Sequence, residues 1–265
     1  MPASHPLDTA PARSPRVRPV PAVSRAIAIL RLLGDAGQPM GVKAIADALE
    51  LVPSTCLHIL RVLVSEGLVA PEQASKRYVL GSGMISLARS VLQGGGFTQL
   101  VQPALDRLAA RASVTAMGVE ITARQAVVVL AISRSHQHFR LHTDVGSQFD
   151  TMVSATGRLI AAYGPDNWVQ LRKKFALIPW DQPLTYEVWK KEVEVTRRRG
   201  WAVDRDHFLT GVTVVAVPVF NTARQMTHTL VVIGLSSQLD DATVQALAKD
   251  MRREAEQISD AMLGP

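Results

Sequence analysis

The stretch from Leu51 to Gly67 narrows the possible folds more than any other part of the chain. It reads as a short helix with a marked start and stop. Pro53 suits a first helical turn, where a missing N–H costs nothing. Gly67 suits the left-handed residue just past a helix end. At about 100° per residue, Cys56, Leu57, Leu60, Leu63 and Val64 fall on one apolar stripe. The opposite face carries Ser54, Thr55, His58, Val62 and Ser65. It lacks the Lys–Glu pairs common on a solvated helix. Short donors and acceptors beside one small apolar group suit the major groove of DNA, where the thymine methyl needs an apolar contact.

The flanking sequence extends this reading. Val42, Ile45, Ala46 and Leu49 recur at helical spacing, and Glu50-Leu51-Val52 makes a tight turn before Pro53. Helix, short turn, helix is the layout that lays its second helix in the major groove. After Gly67, the extended runs Leu68–Ala70 and Arg77–Leu80 flank a polar tip, a hairpin with Lys76 and Arg77 placed to meet phosphate. Arg25 and Lys43 complete the expected DNA contacts, with Ser54, Thr55, His58 and Val62 reading bases. A plain three-helix core has similar helices. A helix pair, a polar face and a basic-tipped hairpin in that order point to DNA.

Of 265 residues, the first 93 hold ten Lys/Arg and six Asp/Glu, and the remainder 19 and 17. The smaller part is the more basic, as a phosphate-binding module should be. One cysteine, Cys56, excludes an internal disulfide and a Cys-based zinc cluster. No run of 18 apolar residues and no apolar leader is present, so no membrane span is expected and a cytoplasmic location is. Residues 1–21 hold six of fifteen prolines and read as a disordered tail. A helix follows over Ala22–Gly34, and another over Met84–Leu92 closed by Gly94-Gly95-Gly96, where three side-chain-free residues mark a boundary. The divisions expected are 22–81 for DNA binding, 82–96 for a linker helix and 97–265 for a sensor domain. The sensor part alternates helices with strands at Val114–Ile121, Ala126–Ile132, Gln137–Val145, Trp201–Val203, Val212–Phe220 and Thr227–Leu235. Helices bracketing an antiparallel sheet make the fold class α+β.

Taken together these segments resemble the IclR family of bacterial transcription regulators over about residues 22–262. The resemblance is carried by Ser24-Arg25-Ala26, Ile45-Ala46, Pro53-Ser54-Thr55, Gly67-Leu68-Val69 and Arg77-Tyr78-Val79-Leu80-Gly81. It continues through Ala155-Thr156-Gly157-Arg158, Arg199-Gly200-Trp201-Ala202-Val203-Asp204 and Ala216-Val217-Pro218-Val219-Phe220. It implies a winged helix-turn-helix domain and a GAF-like effector-binding domain. It also implies homodimers or homotetramers on palindromic double-stranded operators, with a small organic effector as repressor or activator signal. His58 stands where the family commonly has Arg, which implies different operator bases. Effector-contacting positions implied by the resemblance are Ala155, Thr156, Asp204, Val214, Val231 and Ile233. Three of these are apolar where small-acid binders are polar, which argues for an aromatic or otherwise apolar effector.

Other residues suggest chemistry that their pattern does not require. His136, His138 and His142 alternate with Phe139 and Leu141, which is ordinary strand alternation rather than a metal site. Asp204, Asp206 and His207 read as a strand end and loop. Arg197-Arg198-Arg199 closes a helix whose C-terminal dipole favours cations. No nucleophile elbow, Walker loop, zincin motif or dinucleotide turn is present, so no catalysis, metal or cofactor is expected. The alternative is a small-molecule enzyme whose winged helix docks another protein.

Overall fold

The computed structural model describes residues 20–72, 75–94, 96–112, 114–122, 126–134 and 143–263. The chain divides into two compact units, residues 1–90 and 91–265, so the division falls inside a helix rather than at the three glycines.

The first unit opens with α1 (Pro21–Ala36), which runs past Gly34 until Gly37 adopts a left-handed conformation at φ 59°. Helices α2 (Val42–Ala48) and α3 (Pro53–Ser65) follow, joined through Glu50 at φ 53°. The strands β1 (Val69–Pro71) and β2 (Tyr78–Leu80) pair antiparallel with Val69 opposite Leu80. Met40 bridges to Tyr78 through two backbone hydrogen bonds of 3.0 and 2.8 Å, tying the hairpin to the segment before α2. Ile29, Leu33, Ile45, Cys56, Leu60, Leu63 and Val69 form the buried core. Leu57 and Val64, the flanks of the expected stripe, are half-buried. Gly81 ends the hairpin where a Cβ would stand 2.2 Å from the Gly67 carbonyl oxygen, so any side chain there is excluded by backbone. Helix α4 (Gly83–Gly94) follows.

The second unit opens with α5 (Gly96–Ala112), four residues earlier than the periodicity predicts. Gly94 and Gly96 are therefore helix ends, and Gly95 lies outside the described residues. A six-stranded antiparallel sheet has the order β5-β4-β3-β8-β7-β6. Its strands are β3 (Thr115–Ile121), β4 (Ala126–Ile132), β5 (Gln148–Asp150), β6 (Ala202–Arg205), β7 (Val212–Phe220) and β8 (Met226–Leu235). The expected strand over Gln137–Val145 falls mostly outside the described residues, and 143–145 are loop. Alternation along the strands sends two sets of apolar side chains to opposite faces. Val215, Val217, Leu230 and Val232 pack with α5 and with α9 (Asp241–Leu263). Met117, Val119, Val129, Val214 and Val231 pack with Ala155 and Leu159 of α6 (Ser154–Tyr163). A third cluster around the fully buried Trp189 joins α6 to α7 (Trp168–Phe175) and α8 (Tyr186–Arg199). Asn167 caps α7 with a reciprocal capping box, and Thr185 caps α8, whose Gly200 closes it at φ 81°. Among the described residues no single helix is long and apolar enough to cross a membrane.

Candidate functional site

In the first unit, α3 presents the face expected of a reading helix. Cys56, Leu60 and Leu63 anchor it in the core, and Ser54, His58 and Ser65 are exposed on the other side, with Thr55 half-buried. Val62 is 60% exposed on the same side, where it can offer a methyl contact. The helix has no side-chain N-cap and no acid in its first turn, so its N-terminal N–H groups are left to face an anion. Lys76, at φ 55°, and Arg77 are exposed at the hairpin tip, as are Arg25 on α1 and Lys43 on α2. Arg61 is also exposed on α3, one turn beyond His58. It lies outside the polar face expected from the sequence, and its i+3 spacing from His58 places both on one flank. Cys56 is buried, with its Sγ 3.9 Å from the Val42 carbonyl, and burial pushes its thiol pKa up, which disfavours the reactive thiolate.

In the second unit, strand register gathers the expected effector contacts on the α6 side of the sheet. Asp204 pairs with Val214 and Val214 with Ile233, while Ala216 pairs with Val231 and Val231 with Met117. Asp204, Val214 and Ile233 thus form one row, and Val231 and Met117 lie in the next row on the same face. Ala155 and Thr156 open α6 above this face, and both are buried. No side chain caps α6. Ser154 begins it at φ 55°, with its hydroxyl buried and without a hydrogen-bond partner. A non-glycine residue held there is strained backbone of the kind that collects at ligand sites. Gly157 allows the turn to close: a Cβ would stand 2.0 Å from the Met152 carbonyl oxygen.

Asp204 is not a lone charge. Arg158, 1% exposed, donates from Nη1 to Asp204 Oδ2 at 3.1 Å and to the Ser154 carbonyl at 2.9 Å, and from Nε to Glu192 at 2.7 Å. Asp204 Oδ1 accepts the backbone N–H groups of His207 at 3.2 Å and Phe208 at 3.4 Å. The guanidinium also lies 5.7 Å from the Trp180 ring centre. In the sequence Arg158 is legible only as part of a turn motif, with no sign that it partners Asp204. The remaining suspect groups have structural partners. Asp206 accepts from the Gly211 N–H and the Ser236 hydroxyl, and His207 Nδ1 donates to the Gln182 carbonyl. Arg197 donates to the Ala162 carbonyl at the end of α6, and Arg199 to the Trp201 carbonyl. His136, His138 and His142 lie outside the described residues.

A winged reading helix in one unit and a sheet-and-helix sensor in the other define a ligand-responsive DNA-binding regulator. Two family descriptions match the chain: the IclR helix-turn-helix domain over residues 22–73, and the C-terminal part of the bacterial transcriptional regulator IclR over residues 89–260. The protein belongs to the IclR family of bacterial transcriptional regulators. It is 29% identical over 245 residues to the glycerol operon regulatory protein of Streptomyces griseus, covering 91% of this chain and 96% of that one. It is 26% identical over 246 residues to the probable transcriptional regulator SauR of Cupriavidus necator, covering 89% of this chain and 95% of that one. Among solved structures, an IclR transcriptional regulator from Alicyclobacillus acidocaldarius aligns with a TM-score of 0.80 at 25% identity, over 92% of this chain and all of that one. The Thermotoga maritima IclR aligns at 0.65 and 22% identity, over 91% and 98%.

Proposed function

We propose that the chain binds a palindromic operator as a homodimer or homotetramer in the cytoplasm, and that an effector with a substantial apolar body alters this binding without being transformed. In this reading residues 22–81 bind DNA, 82–96 link, and 97–265 bind the effector. Ser54, Thr55, His58 and Val62 read bases, while Arg25, Lys43, Lys76 and Arg77 hold phosphates. One reading helix covers too few base pairs to select a site in a genome, hence two half-sites about one helical turn, or a multiple, apart.

The observation that carries the effector reading is the α6-side face itself. Val214, Val231, Ile233 and Met117 supply an apolar floor under Ala155 and Thr156. The nearest buried cation, Arg158, already meets Asp204 and Glu192, so a ligand carboxylate would be a third negative charge on one guanidinium, while its buried Nη2, which has no hydrogen-bond partner among the described residues, can donate to a single ligand oxygen. Burying an unpaired anion costs several kcal/mol, whereas apolar burial yields roughly 25 cal/mol per Å². The Ser154 hydroxyl and the uncapped N–H groups of α6 supply donors for one ligand oxygen, such as a lactone carbonyl or a phenol oxygen.

A thermal-shift screen of the full chain tests this. Apolar phenolics and lactones should raise its melting temperature, and a gel shift on the DNA upstream of its own gene should respond to the same compounds. A hundredfold excess over Kd corresponds to about 2.7 kcal/mol of stabilisation. Stabilisation by glyoxylate- or pyruvate-sized acids, with none from the apolar set, refutes the effector class and leaves the DNA reading standing.

A further inference from the structure

Along the outer flank of α9, two open hollows of about 660 and 500 Å³ share Arg252 and Glu256 and so form one groove. Its other bank is the α8–β6 corner at Gly200 and Trp201, then the β7–β8 turn at Arg224. From Gln245 to Asp260 it runs fifteen residues of α9, about 22 Å at 1.5 Å per residue. That length accommodates six or seven residues of extended chain at about 3.3 Å each.

Five cations line it, Arg199, Arg224, Lys249, Arg252 and Arg253, against two acids, Glu256 and Asp260. The cations are poorly neutralised. Arg252 meets Glu256 at 3.6 Å and Arg253 meets Asp250 at 3.6 Å, both loose pairs within α9. Lys249 and Arg224 make no ion pair among the described residues. Arg199 lies flat over Trp201 at 3.5 Å, and partial burial pushes its pKa down. Desolvation outweighs the nearby Glu192 carboxylate, and a further incoming carboxylate relieves it.

The charges are of both signs. Lys249 and Arg253 line the hollow at Trp201, Arg224 and Asp260 line the hollow at Asn221, and Arg252 and Glu256 line both. The matching ligand carries several carboxylates together with N–H donors for the acids. A peptide has both. A nucleic-acid backbone has anions only, and Glu256 and Asp260 repel it. A two-fold contact with a second copy brings two patches together in which cations outnumber acids five to two. A small anion gains little, because exposed charge pairs contribute about 0–1 kcal/mol each, and Arg252 and Arg253 are 48% and 62% exposed. A chain bearing several carboxylates adds such contacts together.

We propose that the α9 groove docks an extended acidic peptide segment of another protein, with its carboxylates on Lys249, Arg252 and Arg253 and an apolar side chain beside Trp201. The test is fluorescence anisotropy on the full chain. The probe is a labelled eight-residue peptide of Glu and Asp with one Leu, and the control is its Gln/Asn twin. The acidic peptide should bind at least tenfold more tightly than the twin and weaken with salt. Lys249→Glu with Arg253→Glu should cut its affinity at least tenfold, and the milder Gln pair several-fold, with circular dichroism and operator binding unchanged. Lys76→Ala, in the wing, should leave it unaltered. Equal binding of the two peptides, or equal affinity of wild type and groove variants, overturns the proposal. So does a fall in oligomer mass for the groove variants, an equal loss of random-sequence duplex DNA, or full displacement of the peptide by phosphate at its own concentration.

Discussion

Replacing Arg158 with Met removes the cation shared by buried Asp204 and partly exposed Glu192 while keeping most of its volume. Its side chain is 1% exposed, and so is nearly all of its partner Asp204 hidden, at 2%. Breaking a buried pair by deleting one member generally costs about 3–5 kcal/mol. Asp204 keeps two backbone N–H donors, which places the expected loss near the lower figure, about 3 kcal/mol. For a unit of this size that is roughly 6–12 °C of melting temperature. Asp204→Asn alone should cost less, because Arg158 still holds Glu192, whose side chain is 35% exposed and can be solvated when unpaired. In the double variant the Asn side chain still accepts the His207 and Phe208 N–H groups and no buried charge is stranded. A coupling of about 1–3 kcal/mol should therefore appear in the double-mutant cycle. Urea unfolding followed by tryptophan fluorescence reports on this unit alone, since Trp168, Trp180, Trp189 and Trp201 all lie in it. A loss below about 1 kcal/mol for Arg158→Met, or strict additivity of the pair, refutes the argument that the triad is a desolvated ion network.

Three further outcomes are expected. His58→Ala should alter which bases are preferred in a binding-site selection, whereas Lys76→Ala and Arg61→Ala should weaken all sequences alike and flatten the salt slope by roughly one unit per lost phosphate contact; uniform scaling by all three variants contradicts the reading-helix assignment. Gly157→Ala drives a Cβ into the Met152 carbonyl, so effector-induced thermal shifts should vanish even where the variant still folds and binds DNA. His228 stacks on Phe97 at 4.1 Å, and burial lowers its pKa to about 4, so the folded state keeps it neutral. The unfolded chain takes up that proton first, so stability should be full above about pH 6.5 and fall as pH drops toward 4; His228→Phe should flatten that part of the pH–stability curve, and an unchanged slope counts against the assignment.

Much of the DNA-reading unit was legible in the sequence because its information is local. The 3.6-residue spacing of Cys56, Leu60 and Leu63 decides which face of α3 is buried, and therefore which face offers Ser54, His58 and Val62. Pro53, Gly37, Gly67 and Gly200 punctuate helices through their own backbone preferences, and the structure places them at helix boundaries. Strand alternation likewise put Val231 and Ile233 on one face. Only tertiary structure decided what lies beside them. Register across three strands aligned Asp204, Val214 and Ile233, and packing of α6 brought Arg158 to Asp204 across 46 residues of chain. Ser154 shows no sign in sequence of its left-handed backbone or its unpaired hydroxyl, because both depend on how the start of α6 is packed in the fold. Charge pairing and burial depend on distances through space. A sequence pattern carries periodicity along the chain, and it holds no record of which distant residue will supply the partner.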